Sequence, residues 1–367
     1  MQELRHPDVH RPWSEWSENQ TLHVAVGYSN PFRWRSRREL MNRFRDHMEA
    51  QANVVLHVGE LAYGDRPHEV TDSSRPNDIQ LRTDYELFHK ENIQNEVIRR
   101  FPVGWKYGAT FDADFHPVTI GWALETIHQL QHYAWVQPFS SYLDVTGHVY
   151  GQANLPLRAN TSFLFNYINN GYKISPQYNN GVIGKDGKFV AGSSLDEYAE
   201  AMAPSVQGIF MRGRGATGGA FAFTRKAFDA VGGLMDRCIL GHADWYMTHF
   251  LVGELGSTNH FLNFNPSYVS YIRQWGERAK RLQRNVGYTD AMAMHFFHGS
   301  KSKRGYGSRD SILAEERFDP YSDLHPDFQG ILQLAPERWQ LRDKIRKYFI
   351  SRTEDDPNIY PPERSMV

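Results

Sequence analysis

Asp112 and Asp114 flank Ala113 directly after the run Trp105 to Phe111, which has the character of a buried strand. A strand ending in two such carboxylates can offer both to one hard divalent cation. Mg2+ and Mn2+ take oxygen ligands and bridge readily to a diphosphate. The same tripeptide is also a common solvated turn. Its position separates the readings, because open α/β sheets bind ligands at the C-terminal edge of their strands. Asp244 stands in Gly241-His242-Ala243-Asp244-Trp245, where a helix begins. It is either a first-turn acid favoured by the helix dipole or a general base aimed into a cleft. His295 and His298 are three residues apart. On a helix both would reach one metal; on a strand they would face opposite sides. Zinc is not expected, since no Cys-rich or His-Glu-x-x-His pattern accompanies the pair.

A second signal is electrostatic. From Arg273 to Arg309 the chain carries Arg273, Arg278, Lys280, Arg281, Arg284, Lys301, Lys303, Arg304 and Arg309 against only Glu277 and Asp290. Trp275, Tyr288 and Tyr306 interleave with these cations. The pattern fits a solvated helix face or a surface for phosphates, of a nucleotide or a nucleic-acid backbone. Arg33, Arg35, Arg37 and Arg38 add to it near the end of the first strand.

These groups need a scaffold. His23 to Tyr28 is a strand, closed by Ser29-Asn30-Pro31. Leu40, Met41, Phe44 and Met48 recur at helical spacing within 37–50, and a second strand follows at 54–59. That βαβ order implies parallel strands and a right-handed crossover. Residues 65–82 are polar and expected as a loop. A helix is expected at 89–100, a strand at 105–111 and a helix at 117–131 with Pro117 in its first turn. A strand is expected at 134–139. The fold class is therefore α/β, an open, mostly parallel Rossmann-like sheet with helices on both faces. Residues 145–207, rich in Asn and Gly, are expected to be an irregular acceptor-side insertion. A strand at 218–223, a helix from Arg225 to Gly232-Gly233 and a helix over 243–252 restore the order. The expected layout is an arm at 1–20, a catalytic domain at 21–315, and a C-terminal helix and tail at 316–367.

The 367 residues carry a net charge of −1, with 40% apolar and 14% aromatic residues. A disordered chain and a chain basic overall are both excluded. No run of 18 apolar residues exists, so no membrane partner is expected. The lone Cys238 cannot form an internal disulfide, and with no secretory signal this points to the cytoplasm.

Over roughly residues 22–310 the chain resembles metal-dependent, inverting glycosyltransferases of the GT-A fold. The order carries the likeness: Phe88-His89-Lys90-Glu91-Asn92-Ile93-Gln94-Asn95 precedes Asp112-Ala113-Asp114. Ala216-Thr217-Gly218-Gly219 through Arg225 then leads to Val231-Gly232-Gly233-Leu234, followed by Gly241-His242-Ala243-Asp244. It resembles more closely the glycosyltransferases of tailed bacteriophages, on Asn30-Pro31, Glu60 to Pro67, Leu81-Arg82-Thr83, His128 to Tyr133, and His298 to Tyr306. The resemblance implies Mn2+ or Mg2+ on Asp112, Asp114 and His298, with His295 as the alternative ligand. It implies a nucleoside-diphosphate sugar, UDP-glucose, held by Asn30, Glu60, Lys90, Asp112, Ala113, Gly218, Gly219 and Lys301. Asp244 would be the base. The acceptor would be a 5-hydroxymethylpyrimidine in phage DNA, held by Trp275, Arg304 and Tyr306, in the host cytoplasm. One departure is His242-Ala243, where related enzymes carry Gly-Glu that helps hold a sugar acceptor. The rival readings are transfer to a glycan or protein, a non-catalytic nucleotide-sugar-binding module, and a two-metal phosphohydrolase.

Overall fold

The computed structural model describes residues 16–145, 156–174, 181–183, 189–191, 215–253, 263–299, 302–305 and 309–355. Its centre is a seven-stranded sheet. Strand β1 (Leu22–Ser29) pairs in parallel with β2 (Val54–Tyr63) on one side and β4 (Tyr107–Phe111) on the other. β2 continues to an edge strand, β3 (Asp78–Thr83). Beyond β4 lies β11 (Ala220–Thr224), the antiparallel member, then β6 (Trp135–Gln137) and β12 (Val286–Tyr288).

Period-two alternation divides the core between the faces of this sheet. Leu22, Val24, Val26 and Tyr28 of β1 pack with Tyr107, Ala109 and Phe111 of β4 on one face. Helix α1 (Arg35–Glu49) covers that face with Met41, Phe44 and Met48, joined by Trp122, Ile127 and Leu130 of α3 (Trp122–Leu130). On the opposite face lie Ala25, Phe221 and Phe223, with Ile93 and Val97 of α2 (Lys90–Ile98). Helices α5 (Arg225–Val231), α6 (Ala243–Leu251) and α7 (Pro266–Ala279) complete that core.

A smaller sheet stands at the C-terminal edge of the large one. Its order is β5 (Phe115–Pro117), β13 (Met292–Phe296), β7 (Ser141–Val145) and β8 (Pro156–Thr161). Helix α4 (Phe163–Asn169) follows β8.

Several elements differ from the sequence expectations. The polar stretch 65–82 ends in strand β3, because an edge strand needs only one pairing partner and tolerates polar side chains. Pro117 closes β5, pairing with Ala293, and the helix starts only at Trp122. The span 145–207 contains β8, α4 and the pair β9 (Gly181–Ile183) and β10 (Phe189–Ala191). The C-terminal region is no surface appendage. Short α8 (Asp310–Glu315), the hairpin β14 (Leu324–Pro326) and β15 (Leu332–Leu334), and α9 (Trp339–Ser351) place Leu324, Ile331, Leu334, Leu341, Ile345 and Phe349 in the main core. The arm before residue 16 and the end after residue 355 lie outside the described residues.

Two glycines set how closely α2 approaches the sheet. A methyl group at Gly59 would lie 2.5 Å from Val97 Cγ2 and 2.7 Å from Ile93 Cγ2, and one at Gly27 would lie 3.2 Å from Ile93. The helix therefore rests on bare backbone, and its first residues, Lys90 and Glu91, reach the C-terminal edge. Gly59→Ala is expected to lower the unfolding free energy by about 1–3 kcal/mol, the usual cost of overpacking. Chemical denaturation checks this; an unchanged midpoint would show that α2 has slack.

Candidate active site

A cleft of about 440 Å3 opens at the C-terminal edge of the parallel strands. The turn Asp112–Asp114 leaves β4 at its floor, held from both sides. Asp112 N donates to Gly219 O at 2.8 Å, and Phe296 N donates to Asp114 O at 2.8 Å. The first bond follows from the antiparallel pairing of β11 with β4, which places Ala220 opposite Phe111. The second brings the end of β13, and hence His298, against the turn.

Asp114, His295 and His298 form a group whose candidate ligand atoms all lie within 4.8 Å of one another. His298 Nδ1 is 2.5 Å from Asp114 Oδ2, and His295 Nε2 is 3.9 Å from it. The strand rule does not separate the histidines, because β13 ends at Phe296 and His298 lies beyond it. Asp114 Oδ1 is buried and has no hydrogen-bond partner among the described residues. Such an orphan oxygen, beside two imidazoles, fits a divalent cation of the Mn2+ type, which accepts mixed nitrogen and oxygen ligands.

The electrostatics agree with that fit. Burial would raise the Asp114 pKa, but His298, His295 and Arg304 outweigh it and hold the carboxyl far below its usual range. Burial, aided by Arg304, pushes His298 down to about 4. At neutral pH the set is thus a carboxylate and a neutral imidazole, the states that ligate. His295 Nδ1 donates to Asp144 Oδ1 at 2.6 Å, which leaves Nε2 free to face Asp114. Asp144 sits opposite His295 across the β7–β13 ladder and accepts from Asn160 Nδ2.

Asp112 lies beside this trio but makes a different contact. Lys90 Nζ is 3.1 Å from Asp112 Oδ1 and 3.3 Å from Glu91 Oε1. Burial would lower the Lys90 pKa, but Asp112, Glu91 and Asp244 hold it well above the usual lysine value. Burial raises Glu91 to about 7, with Lys90 opposing. Asp112 is raised by burial, against the pull of Lys90.

Asp244 enters from the first turn of α6. Its Oδ1 accepts from Trp245 N at 2.9 Å. Its Oδ2 sits over Gly218, where a methyl group would come within van der Waals overlap of that oxygen. The preceding His242 adopts a left-handed φ of 71° and bonds Asp310 through Nδ1 at 2.9 Å. This strained entry turns Asp244 into the cleft.

Of the residues singled out in the sequence, Lys90, Asp112, Ala113, Asp114, Gly218, Gly219, Asp244, His295, His298 and Arg304 line one cleft. Three do not. Asn30 is spent on its own turn, donating to Trp34 O and accepting from Trp34 N. The Glu60 carboxylate accepts from the backbone of Glu69, Val70 and Thr71, fixing the 69–71 turn rather than meeting a nucleoside. Trp275 is fully buried and donates to Gly233 O at 2.8 Å, so it is core and cannot stack on a base. Lys301 and Tyr306 lie outside the described residues. The basic run does not form one surface. Arg278 bonds Val231 O and Lys280 pairs with Glu277, whereas Arg304 and Arg309 are buried at the cleft. Asp144, Glu91 and Arg352 were not foreseen. No local signal marks Asp144, but helical placement of Lys90 beside the Asp-x-Asp turn points to Glu91.

No protein-family model matches the chain, and no curated protein matches it. Among solved structures it is similar to 4-diphosphocytidyl-2C-methyl-D-erythritol synthase from Anaerococcus prevotii DSM 20548. The identity is 11% and the TM-score 0.30, covering 74% of this chain and 87% of that one. It is also similar to GalNAc-T7, solved with UDP, GalNAc and Mn2+, at 11% identity and a TM-score of 0.35. That match covers 93% of this chain but 58% of the GalNAc-T7 chain. Likeness at this level assigns neither a family nor an activity. No helix among the described residues is long and apolar enough to cross a membrane.

Asp144→Asn removes the charge that orients His295. It is expected to weaken Mn2+ binding by about 10- to 100-fold without unfolding the protein. Calorimetric titration with Mn2+ measures it; an unchanged affinity would place the metal elsewhere.

Proposed function

We propose that this protein is a metal-dependent inverting glycosyltransferase of the GT-A kind. It would move glucose from UDP-glucose to a hydroxyl acceptor, a 5-hydroxymethylpyrimidine of phage DNA. The observation that carries the transferase reading is one juxtaposition. The Asp114–His295–His298 group with its orphan oxygen faces a cleft that Asp244 Oδ2 enters over Gly218. UDP-glucose and the DNA acceptor come from the family resemblance.

The acceptor hydroxyl gives its proton to Asp244 Oδ2 while its oxygen attacks the anomeric carbon from the side opposite the diphosphate. The bond from that carbon to the diphosphate oxygen breaks, its electron pair leaves with the diphosphate, and the anomeric configuration inverts. A divalent cation at Asp114, His295 and His298 would offset the charge on the leaving group. Asp112 and Glu91 hold Lys90 in place, and its ammonium faces the same charge. Bare backbone at Gly218 lets the Asp244 carboxylate lie against the chain, where it would face the donor sugar. A two-metal hydrolase is disfavoured: among the described residues the group with metal-ligand spacing holds one carboxylate and two histidines, and Asp112, Glu91 and Asp244 surround Lys90.

Asp244→Asn is expected to lower transfer by about 10^2- to 10^4-fold while UDP-glucose affinity stays within about twofold. Gly218→Ala should lower kcat in the same sense, by displacing Asp244. The assay supplies Mn2+ and UDP-glucose with hydroxymethylated DNA, unmodified DNA or none, and reads digested nucleosides by mass spectrometry. A hexose gain on the hydroxymethylated base alone supports the full reading. Metal-dependent hydrolysis of UDP-glucose without any gain on DNA moves the acceptor to a glycan or protein. Near-normal turnover by Asp244→Asn overturns its assignment as the base.

A further inference from the structure

Residues 349–355 fold back against the cleft. Phe349 and Arg352 line it, although they lie more than 230 residues beyond the Asp-x-Asp turn. The segment is anchored at three points. Asp355 caps α1 from outside, accepting from Arg35 N at 2.6 Å and Ser36 N at 3.0 Å. The α1 N-cap residue Trp34 itself provides no side-chain cap. Tyr348 donates to Arg304 O at 2.8 Å. Glu354, 1% exposed, packs against Gly299 next to His298, where an added methyl would meet Glu354 Cγ at 3.1 Å.

The charges at this anchor do not balance. The Glu354 carboxylate takes Arg37 in a two-point fork, at 2.7 and 2.9 Å, and also Arg352 Nη2 at 2.8 Å. One carboxylate thus serves two guanidinium groups. Arg352 is 6% exposed, and its Nε has no hydrogen-bond partner among the described residues. A guanidinium out of water without full pairing is costly, and a phosphate matches its planar fork. The position fits as well: Arg37, Arg304 and Arg352 line the same cleft as Asp112, Asp114 and Asp244, and Arg304 Nη2 lies 3.3 Å from His298 Nδ1.

We infer that residues 349–355 form a phosphate clamp, in which Arg352 donates to the anionic oxygens of the ligand in the cleft and Glu354 holds it in position. Burial lowers the Arg352 pKa; Glu354 opposes this, and the cationic neighbours Arg37 and Arg304 add to the lowering. A bound anion relieves that repulsion. The clamp rests on the nucleotide-sugar reading only for the identity of the group that carries the phosphate.

The test uses the full-length protein and three probes, each titrated by calorimetry: pyrophosphate, UDP and uridine. EDTA in a parallel series removes the contribution of any metal. Arg352→Gln is expected to weaken pyrophosphate and UDP by about 10- to 100-fold, the range for one charge-assisted pair, and to leave uridine unchanged. Arg352→Lys keeps the charge and should recover part of the loss. Thermal melting of both variants checks that the segment still packs, and the lysine variant separates lost charge from lost packing. Wild-type affinity for pyrophosphate in Arg352→Gln overturns the clamp, as does a wild-type protein that binds no pyrophosphate. A wild-type protein that binds pyrophosphate through Arg352 but ignores UDP keeps the clamp and overturns the nucleotide-sugar donor.

Discussion

Two main-chain hydrogen bonds hold the cleft together, one from Asp112 N to Gly219 O and one from Phe296 N to Asp114 O. They stitch the turn after β4 to the segment before β11 and to the end of β13. Three stretches distant in sequence thereby meet at one sheet edge. The first bond sets Gly218 and Gly219 beside the carboxylates, with Asp244 above them. The second places His298 within 2.5 Å of Asp114. Because the donors and acceptors are backbone atoms, the arrangement depends on strand register more than on any one side chain. A one-residue slip of β11 or β13 would carry away half of the site.

Charge around the cleft falls into clusters. Asp112, Glu91 and Asp244 surround Lys90, whose ammonium all three stabilise. Asp114 stands apart from that cluster, paired with imidazoles and left with one unpartnered oxygen. The cationic group includes Arg37 of α1 and Arg352 beyond α9, which share the Glu354 carboxylate. Buried carboxylates and guanidinium groups are costly alone, and here the Lys90 and Glu354 pairings offset part of that cost.

The sheet was legible because strand and helix periods are local. The Asp-x-Asp turn stood out because it follows a strand directly, and Asp244 because it opens a helix. Other polar residues at comparable places misled. Asn30 follows β1 but captures the Trp34 N–H of its own turn, a common use of short polar chains, and Glu60, inside β2, captures the backbone N–H groups of residues 69–71. Trp275 lay among cations, yet Tyr268, Ile272, Trp275 and Ala279 share the buried face of α7, a helical spacing that outweighs the charges around it. Asp144 gives no local signal, since it meets His295 only through pairing across 151 residues. Arg352 is equally silent in the sequence. Its importance depends on the last helix folding into the core and not lying on the surface.

We propose that Asp114, His295 and His298 hold a divalent cation facing Asp244. Crystals grown with Mn2+ and UDP, measured at the manganese absorption edge, test it directly. One anomalous peak is expected about 2.0–2.3 Å from Asp114 Oδ1 and from a nitrogen of each histidine, with Lys90 still paired to Asp112. A peak between Asp112 and Asp244 with Lys90 displaced, or no peak at saturating Mn2+, would contradict it.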